Sequence, residues 1–372
     1  MTTPGTLGFA CRWDRSPAGT WSGTPWSLRS ALREQVTVED IAVGPPTAAR
    51  AVLKAAYSRR VAGEWKSLWR HSPASNLVVE RTLRRNAARS SADVVVQIQD
   101  LGTTPQPFLL VQDLSYHLLL EKAQGGSIPH FRTLDLRRVE QLRDRQARLY
   151  AQAAHLLPMS RWLADDLVAS GVPADRVTVV NPGVNAGVAP GTPVPERRTS
   201  RTRRLLLVGR DFDTKGGDAV VAAFALLREQ LGADIELTVM GPARWPLPGP
   251  VPDGVDFRGT VPSSEVAAAL DSHDLFVMPS RFEGFGIAFV EALIRGLPCI
   301  GRRACAMPEI IDEGTGGRLV DSEDPHELAE LVLRTLDDDD LYAACAAAAP
   351  GLRRHYTWER AATQVLGATA GL

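Results

Sequence analysis

Cysteine and lysine are both scarce in this chain. Its 372 residues include only Cys11, Cys299, Cys305 and Cys345, with no CxxC spacing and no companion histidine cluster, so neither a structural zinc site nor a disulfide framework is expected. No apolar run approaches the roughly 18 residues that a membrane-spanning helix needs. The start, Met1-Thr2-Thr3-Pro4-Gly5, lacks the basic residues and apolar stretch of a secretory signal, which makes a cytoplasmic location the expectation. A dinucleotide fingerprint is also missing: Gly314-Thr315-Gly316-Gly317 has no third glycine at the needed spacing, which disfavours an NAD-type enzyme. Lys54, Lys66, Lys122 and Lys215 are the only lysines among 42 basic residues. The arginine-rich stretches Arg81 to Arg89 and Arg132 to Arg148 lack aromatic interleaving, so no nucleic-acid partner is expected.

What is present is ordinary globular material, 44% hydrophobic and 23% charged, in a chain long enough for two domains with a cleft between them. A net charge of −1 conceals an asymmetry, because residues 1–185 carry +7 and residues 186–372 carry −8. The basic half could meet an anionic acceptor or a membrane surface, or simply attract its acidic neighbour.

Apolar runs of strand length alternate with stretches of helical period along both halves. Leu7–Cys11, Val36–Val43, Val94–Ile98, Phe108–Val111, Ala154–Leu157 and Val177–Val180 read as strands before a segment rich in Pro, Gly, Thr and Arg. After it, Leu205–Val208, Ile235–Val239, Val255–Phe257, Leu275–Met278, Cys299–Ile300 and Arg318–Val320 repeat the pattern. Two β-α-β-α series imply an α/β protein of two doubly wound parallel sheets, with ligands beyond the carboxyl ends of the strands. The expected domains are residues 1–185 and 205–350, with a linker at 186–204 and a C-terminal helical segment at 351–372 that packs back on the first domain or closes the second.

Two loops after strands carry the chemistry. Gly209-Arg210-Asp211-Phe212-Asp213-Thr214-Lys215-Gly216-Gly217 joins a strand to a helix; Arg210, Lys215 and the free amides at the helix start form an anion cradle. Asp211 and Asp213 could bind a divalent ion, but a metal would compete with those two cations, so no metal is expected. The second loop runs Pro279-Ser280-Arg281-Phe282-Glu283-Gly284-Phe285-Gly286-Ile287 into a helix holding Glu291. Gly284 and Gly286 allow close backbone approach. Amides at Phe285, Gly286 and Ile287 suit a phosphate, Glu291 a ribose diol and Glu283 a hexose edge, because carboxylates accept paired hydrogen bonds from vicinal hydroxyls.

Gly209-Arg210 with Lys215-Gly216, the Glu-x7-Glu pair Glu283 and Glu291 within EGFGIAFVEALIRGLPCIG, and Met307-Pro308-Glu309-Ile310-Ile311 with Gly317-Arg318-Leu319-Val320 resemble the retaining nucleotide-sugar glycosyltransferases of family 4. The resemblance covers residues 204–336 and only faintly the first domain. It implies the GT-B fold, two Rossmann-like domains facing a central cleft, and no cofactor beyond the nucleoside-diphosphate sugar substrate. It further implies Arg210 and Lys215 on the diphosphate, Glu291 on the ribose, Glu283 near the transferred sugar, and the loop of Arg258 against the nucleobase. Transfer would proceed by front-face attack with retention and without a metal ion. Alternatives are a GT-B glycoside phosphorylase, a sugar-nucleotide hydrolase, or a non-catalytic nucleotide-sugar-binding protein.

The first domain should bind the acceptor, whether a small molecule, an oligosaccharide or a lipid-linked sugar, with peripheral membrane contact left open. Where the family places a glycine-rich loop, this chain has only Gly23. Asp113 and His117, four apart after a strand, could together orient an acceptor hydroxyl or be a helix cap and a packed histidine.

Overall fold

The computed structural model describes residues 4–14, 16–61, 64–124, 134–189, 191–194 and 202–372. Residue 190 and residues 195–201, the middle of the expected linker, lie outside that set. The chain divides into two units, one built from Met1–Gly126, Phe131–Asn185 and Thr357–Leu372, the other chiefly from Ala186–Tyr356.

In the first unit the elements run β1 (Thr6–Ala10), α1 (Thr24–Arg33), β2 (Thr37–Ile41), α2 (Thr47–Ala56), β3 (Ser58–Val61), β4 (Glu64–Ser67), α3 (Pro73–Ala87), β5 (Val94–Ile98), β6 (Phe108–Gln112), α4 (Tyr116–Gln124), α5 (Leu136–Gln152), β7 (His155–Pro158) and α6 (Arg161–Ala169). A parallel sheet has the order β2-β1-β5-β6-β7, and β3 and β4 form a separate antiparallel pair. β5 and β6 are buried at every position, as strands covered by helices on both faces must be. Val177–Val180, expected as a further strand, makes only a bridge from Val177 to Leu156. Its Thr178 and Val180 amides donate to Leu156 and Pro158 carbonyls, but Pro158 has no N–H to return, so the ladder stops.

The second unit continues with β8 (Arg203–Val208), α7 (Gly217–Leu231), β9 (Ile235–Met240), β10 (Val255–Gly259), α8 (Ser263–Ser272), β11 (Leu275–Val277), α9 (Ile287–Leu293), β12 (Cys299–Arg302), α10 (Met307–Ile310), β13 (Gly317–Val320), α11 (Pro325–Leu336) and α12 (Asp339–His355). Its six-stranded parallel sheet has the order β10-β9-β8-β11-β12-β13, the nucleotide-binding arrangement in which the winding direction reverses between the first and fourth strands of the unit. Here those strands are β8 and β11, paired through Leu205 with Leu275 and Leu206 with Phe276. Fully buried Phe224, Phe276 and Phe289 anchor helices to the sheet, with the rings of Phe276 and Phe289 edge to face at 5.5 Å. These contacts fix where the loops after β8 and β11 emerge.

The expected bound between residues 350 and 351 does not end a helix; α12 runs through Pro350 and Gly351 to His355. The first unit is completed by α13 (Trp358–Gly367). Trp358 Nε1 donates to Asn185 Oδ1 at 2.9 Å, and Arg360 Nη2 donates to the Asn181 carbonyl at 2.6 Å.

Candidate functional site

The loops after β8 and β11 leave neighbouring strands at the point of reversal, so backbone topology alone brings residues 209–217 beside residues 279–286. Gly209 is required by space: a Cβ there would meet Lys215 Cγ at 2.4 Å. The lysine stem therefore crosses over Gly209, and its ammonium forms an ion pair with the Glu283 carboxylate. Both side chains are largely shielded, 21% exposed for Lys215 and 14% for Glu283, which strengthens their attraction relative to a surface pair. Arg210 in the same loop is exposed.

Gly216 caps α7 in the left-handed conformation, with no side chain of its own to bond the helix; the Gly217 amide donates to the Phe212 carbonyl at 2.9 Å, and the Asp218 carboxylate takes bonds from the Asp218 and Ala219 amides. A 15-residue helix sets the positive end of its dipole beside this loop. Gly286 caps α9 at φ +93°, where a Cβ would sit 2.9 Å from the Phe289 ring and 3.1 Å from Glu283 Cγ; only glycine fits without strain. Phe285 is buried against Tyr356 rather than presented to a ligand. Gly284 and Ile287 are half-buried beside it.

Glu291 is the fifth residue of α9. Burial raises its pKa above the ordinary glutamate value, against the lowering effect of the Ala186 amide and Arg295. Ala186 N–H donates to Glu291 Oε1 at 3.4 Å, while Arg295 donates to the Glu291 and Ala186 carbonyls at 2.7 and 2.8 Å. Arg258 lies within β10, not in the loop after it, and its side chain pairs with Asp256 at 2.7 Å because residues two apart share a strand face.

In the first unit, Gly23 caps α1 at φ +87°, and a Cβ there would meet Asn185 Nδ2 at 2.9 Å. Asp113 and His117 have different partners. Gln99 Nε2 donates to Asp113 Oδ1 at 3.0 Å, whereas His117 Nδ1 lies 2.6 Å from Asp166 Oδ1, whose other oxygen accepts from Ser115 Oγ at 2.6 Å. Asp166 is the residue that sequence reasoning overlooked, since 49 positions separate it from His117. Among the described residues no group of three or more His, Cys, Asp or Glu side chains could hold a metal ion, and no helix is long and apolar enough to cross a membrane.

Residues 194–351 match the family model described as Glycosyl transferases group 1. The amylovoran biosynthesis glycosyltransferase AmsK of Erwinia amylovora is 29% identical over 238 residues, 58% of this chain and 56% of that protein. The D-inositol 3-phosphate glycosyltransferase of Corynebacterium efficiens is 32% identical over 213 residues, 51% of this chain and 50% of its own. The chain thus spans about half the length of these curated relatives. Anabaena Alr3699/HepE, solved in complex with UDP-glucose, aligns over 98% of this chain and 100% of its own with a TM-score of 0.65 at 15% identity, a likeness of fold. With its two parallel sheets the chain has the GT-B fold, and the stretch that matches the glycosyl transferases group 1 model lies within its second unit.

Proposed function

We propose that the protein transfers a sugar from a nucleoside diphosphate to an acceptor hydroxyl, with retention and without a metal ion. The observation that carries this reading is the Lys215–Glu283 pair, held between two loops at the reversal point of the second sheet. Cleavage of the anomeric C–O bond builds negative charge on the departing diphosphate. Lys215, exposed Arg210 and the positive dipole end of α7 supply fixed positive charge where that charge develops, a preorganised alternative to a divalent ion. Glu283, released as Lys215 turns to phosphate, accepts hydrogen bonds from the sugar, and Glu291 accepts them from the ribose. Retention follows from front-face attack, in which a donor phosphate oxygen takes the acceptor proton, so no dedicated general base is needed. The relatives named as glycosyltransferases and the UDP-glucose held by HepE favour this donor class.

The acceptor, whether a small molecule, an oligosaccharide or a lipid-linked sugar, is assigned to the first unit. A thermal-shift screen of UDP, GDP, ADP and their sugars tests the donor reading, because a ligand bound only by the folded protein raises its melting temperature. Failure of every nucleotide to do so would remove the basis of the proposal. Undiminished transfer in EDTA is the expected result for metal independence; loss in EDTA restored by a divalent ion would reverse it. Sugar release from the donor with phosphate alone would instead indicate a phosphorylase or hydrolase.

A further inference from the structure

Two arginines and two acids, none of them given a donor contact, form a continuous chain of contacts beside the paired loops. Arg281 stands two residues before Glu283, and its side chain is 20% exposed. Its Nη1 donates to the Asp213 carbonyl at 2.5 Å and to Asp218 Oδ1 at 2.7 Å. Nη2 donates to Asp218 Oδ2 at 2.8 Å and to Glu323 Oε2 at 2.6 Å, and Nε donates to the same Glu323 oxygen at 3.1 Å. The backbone amide of Arg281 donates to the Thr214 carbonyl at 2.8 Å. Behind it, Arg302 pairs with Glu323 Oε1 at 2.7 Å and donates to the Pro279 and Ser322 carbonyls at 3.3 and 3.2 Å.

The donor inventory of a guanidinium is five N–H groups, and in Arg281 all five are engaged by protein. None is left for a ligand. What these bonds do is join the loop after β8 to the loop after β11 on either side of Lys215, through Asp213, Thr214 and Asp218. The loops also touch directly, since a Cβ on Gly216 would lie 2.6 Å from the Pro279 carbonyl oxygen. Asp218 occupies the first turn of α7, where its charge would oppose an incoming anion. Although burial raises its pKa, Arg281 together with the Ala219 and Asp218 amides more than offsets this and holds it below the usual aspartate range; it is an anion already matched by a cation.

We propose that Arg281 is a positioning residue that sets the separation of Lys215 and Glu283 and cancels the charge of Asp218 at the amino end of α7, without touching the donor itself. This rests on the donor reading above for its functional consequence, but the clamp can be tested without it. In the unliganded protein, hydrogen exchange of the amides in 212–217 and 282–286 should quicken about tenfold in both Arg281→Gln and Arg281→Lys. Lysine keeps the charge but not the planar fork. Melting temperatures should stay within a few degrees of the parent. Unchanged exchange in those loops would overturn the clamp, whatever the nucleotide results.

On the functional side, UDP-sugar turnover should fall about 10- to 100-fold in both variants, the scale of an ångström-sized misplacement, chiefly in kcat and with little change in acceptor KM. Asp218→Asn should reproduce the faster exchange, and the double variant with Arg281→Gln should be no worse than Arg281→Gln alone. Full turnover in Arg281→Lys, or additive losses in the double variant, would mean that Arg281 acts on the donor by charge or contact and would end the proposal. A parent protein that binds no nucleotide counts against the donor reading, leaving exchange to judge the clamp.

Discussion

Lys215 and Glu283, 68 positions apart, meet as an ion pair in which each side chain is less than a quarter exposed. On the proposed reading a diphosphate that takes Lys215 competes with Glu283 for the ammonium's three N–H donors, which loosens the carboxylate's hold and turns it toward sugar hydroxyls. Lys215→Ala should reduce transfer by about 100- to 1,000-fold, the loss seen when one preorganised charge-stabilising donor is removed. Circular dichroism should remain that of the parent. Turnover within threefold of the parent would exclude Lys215 from the leaving-group site.

Gly209→Ala tests the same cation by steric means. The added methyl would overlap the lysine stem, with Cγ only 2.4 Å away, and so move the ammonium without removing it. Donor affinity measured by calorimetry should weaken about tenfold, in the range expected for a displaced but intact group. Parent-like affinity would show that Lys215 finds its phosphate by another path.

Glu291 gives a pH signature. Its raised pKa, caused mainly by burial, means that it protonates at a higher pH than an ordinary glutamate as acid is added. A protonated carboxyl loses part of its capacity to accept from a ribose diol. UDP affinity followed downward from pH 7 should fall early in the parent, while Glu291→Gln should be weaker at neutral pH and lack that limb. Identical profiles for the two proteins would remove Glu291 from the nucleoside site.

His273 gives a pH signature in stability. Burial lowers its pKa from 6.5 to about 4, while Nδ1 sits 2.7 Å from the Ala269 carbonyl and Nε2 2.8 Å from Thr238 Oγ1. The unfolded chain takes up a proton near pH 6.5 that the folded chain resists until about pH 4. Stability from the neutral ring is thus complete above the upper value and lost as pH falls through the lower, about 3 kcal/mol in all. Urea unfolding of the second unit should steepen in its pH dependence between those limits, and His273→Gln should flatten it. An equally steep variant would assign the acid loss to other groups.

Period and breakers make the layered architecture legible before any coordinates. Helical period is visible over Arg161–Ala169 and Pro325–Leu336, which form α6 and α11: a capping Ser or Asp directly precedes each and an apolar stripe runs its length. The loops after β8 and β11 are legible too, since glycines and charges directly after an apolar strand mark the carboxyl edge of a parallel sheet, where ligands bind. Illegible are partnerships across distance. Arg281 lies inside the same motif as Glu283, yet its partners Asp218 and Glu323 stand 63 and 42 positions away, and only the folded sheet brings them together. His117 likewise takes Asp166 from another helix, which a spacing of four to Asp113 does not foretell. The run past Pro350 fails for the opposite reason: tertiary packing around buried Cys345 and Ala349 outweighs a local breaker.

The first unit is discontinuous along the chain, its α13 following the entire second unit. During synthesis Asn181, Asn185 and Gln35 must wait for Trp358, Arg360 and Thr363, so this unit is sealed only after its neighbour has emerged from the ribosome. Severing the polypeptide at Tyr356 would leave the first unit open along one helix-wide seam, and any fragment meant to stand for it needs residues 357–372 spliced back on.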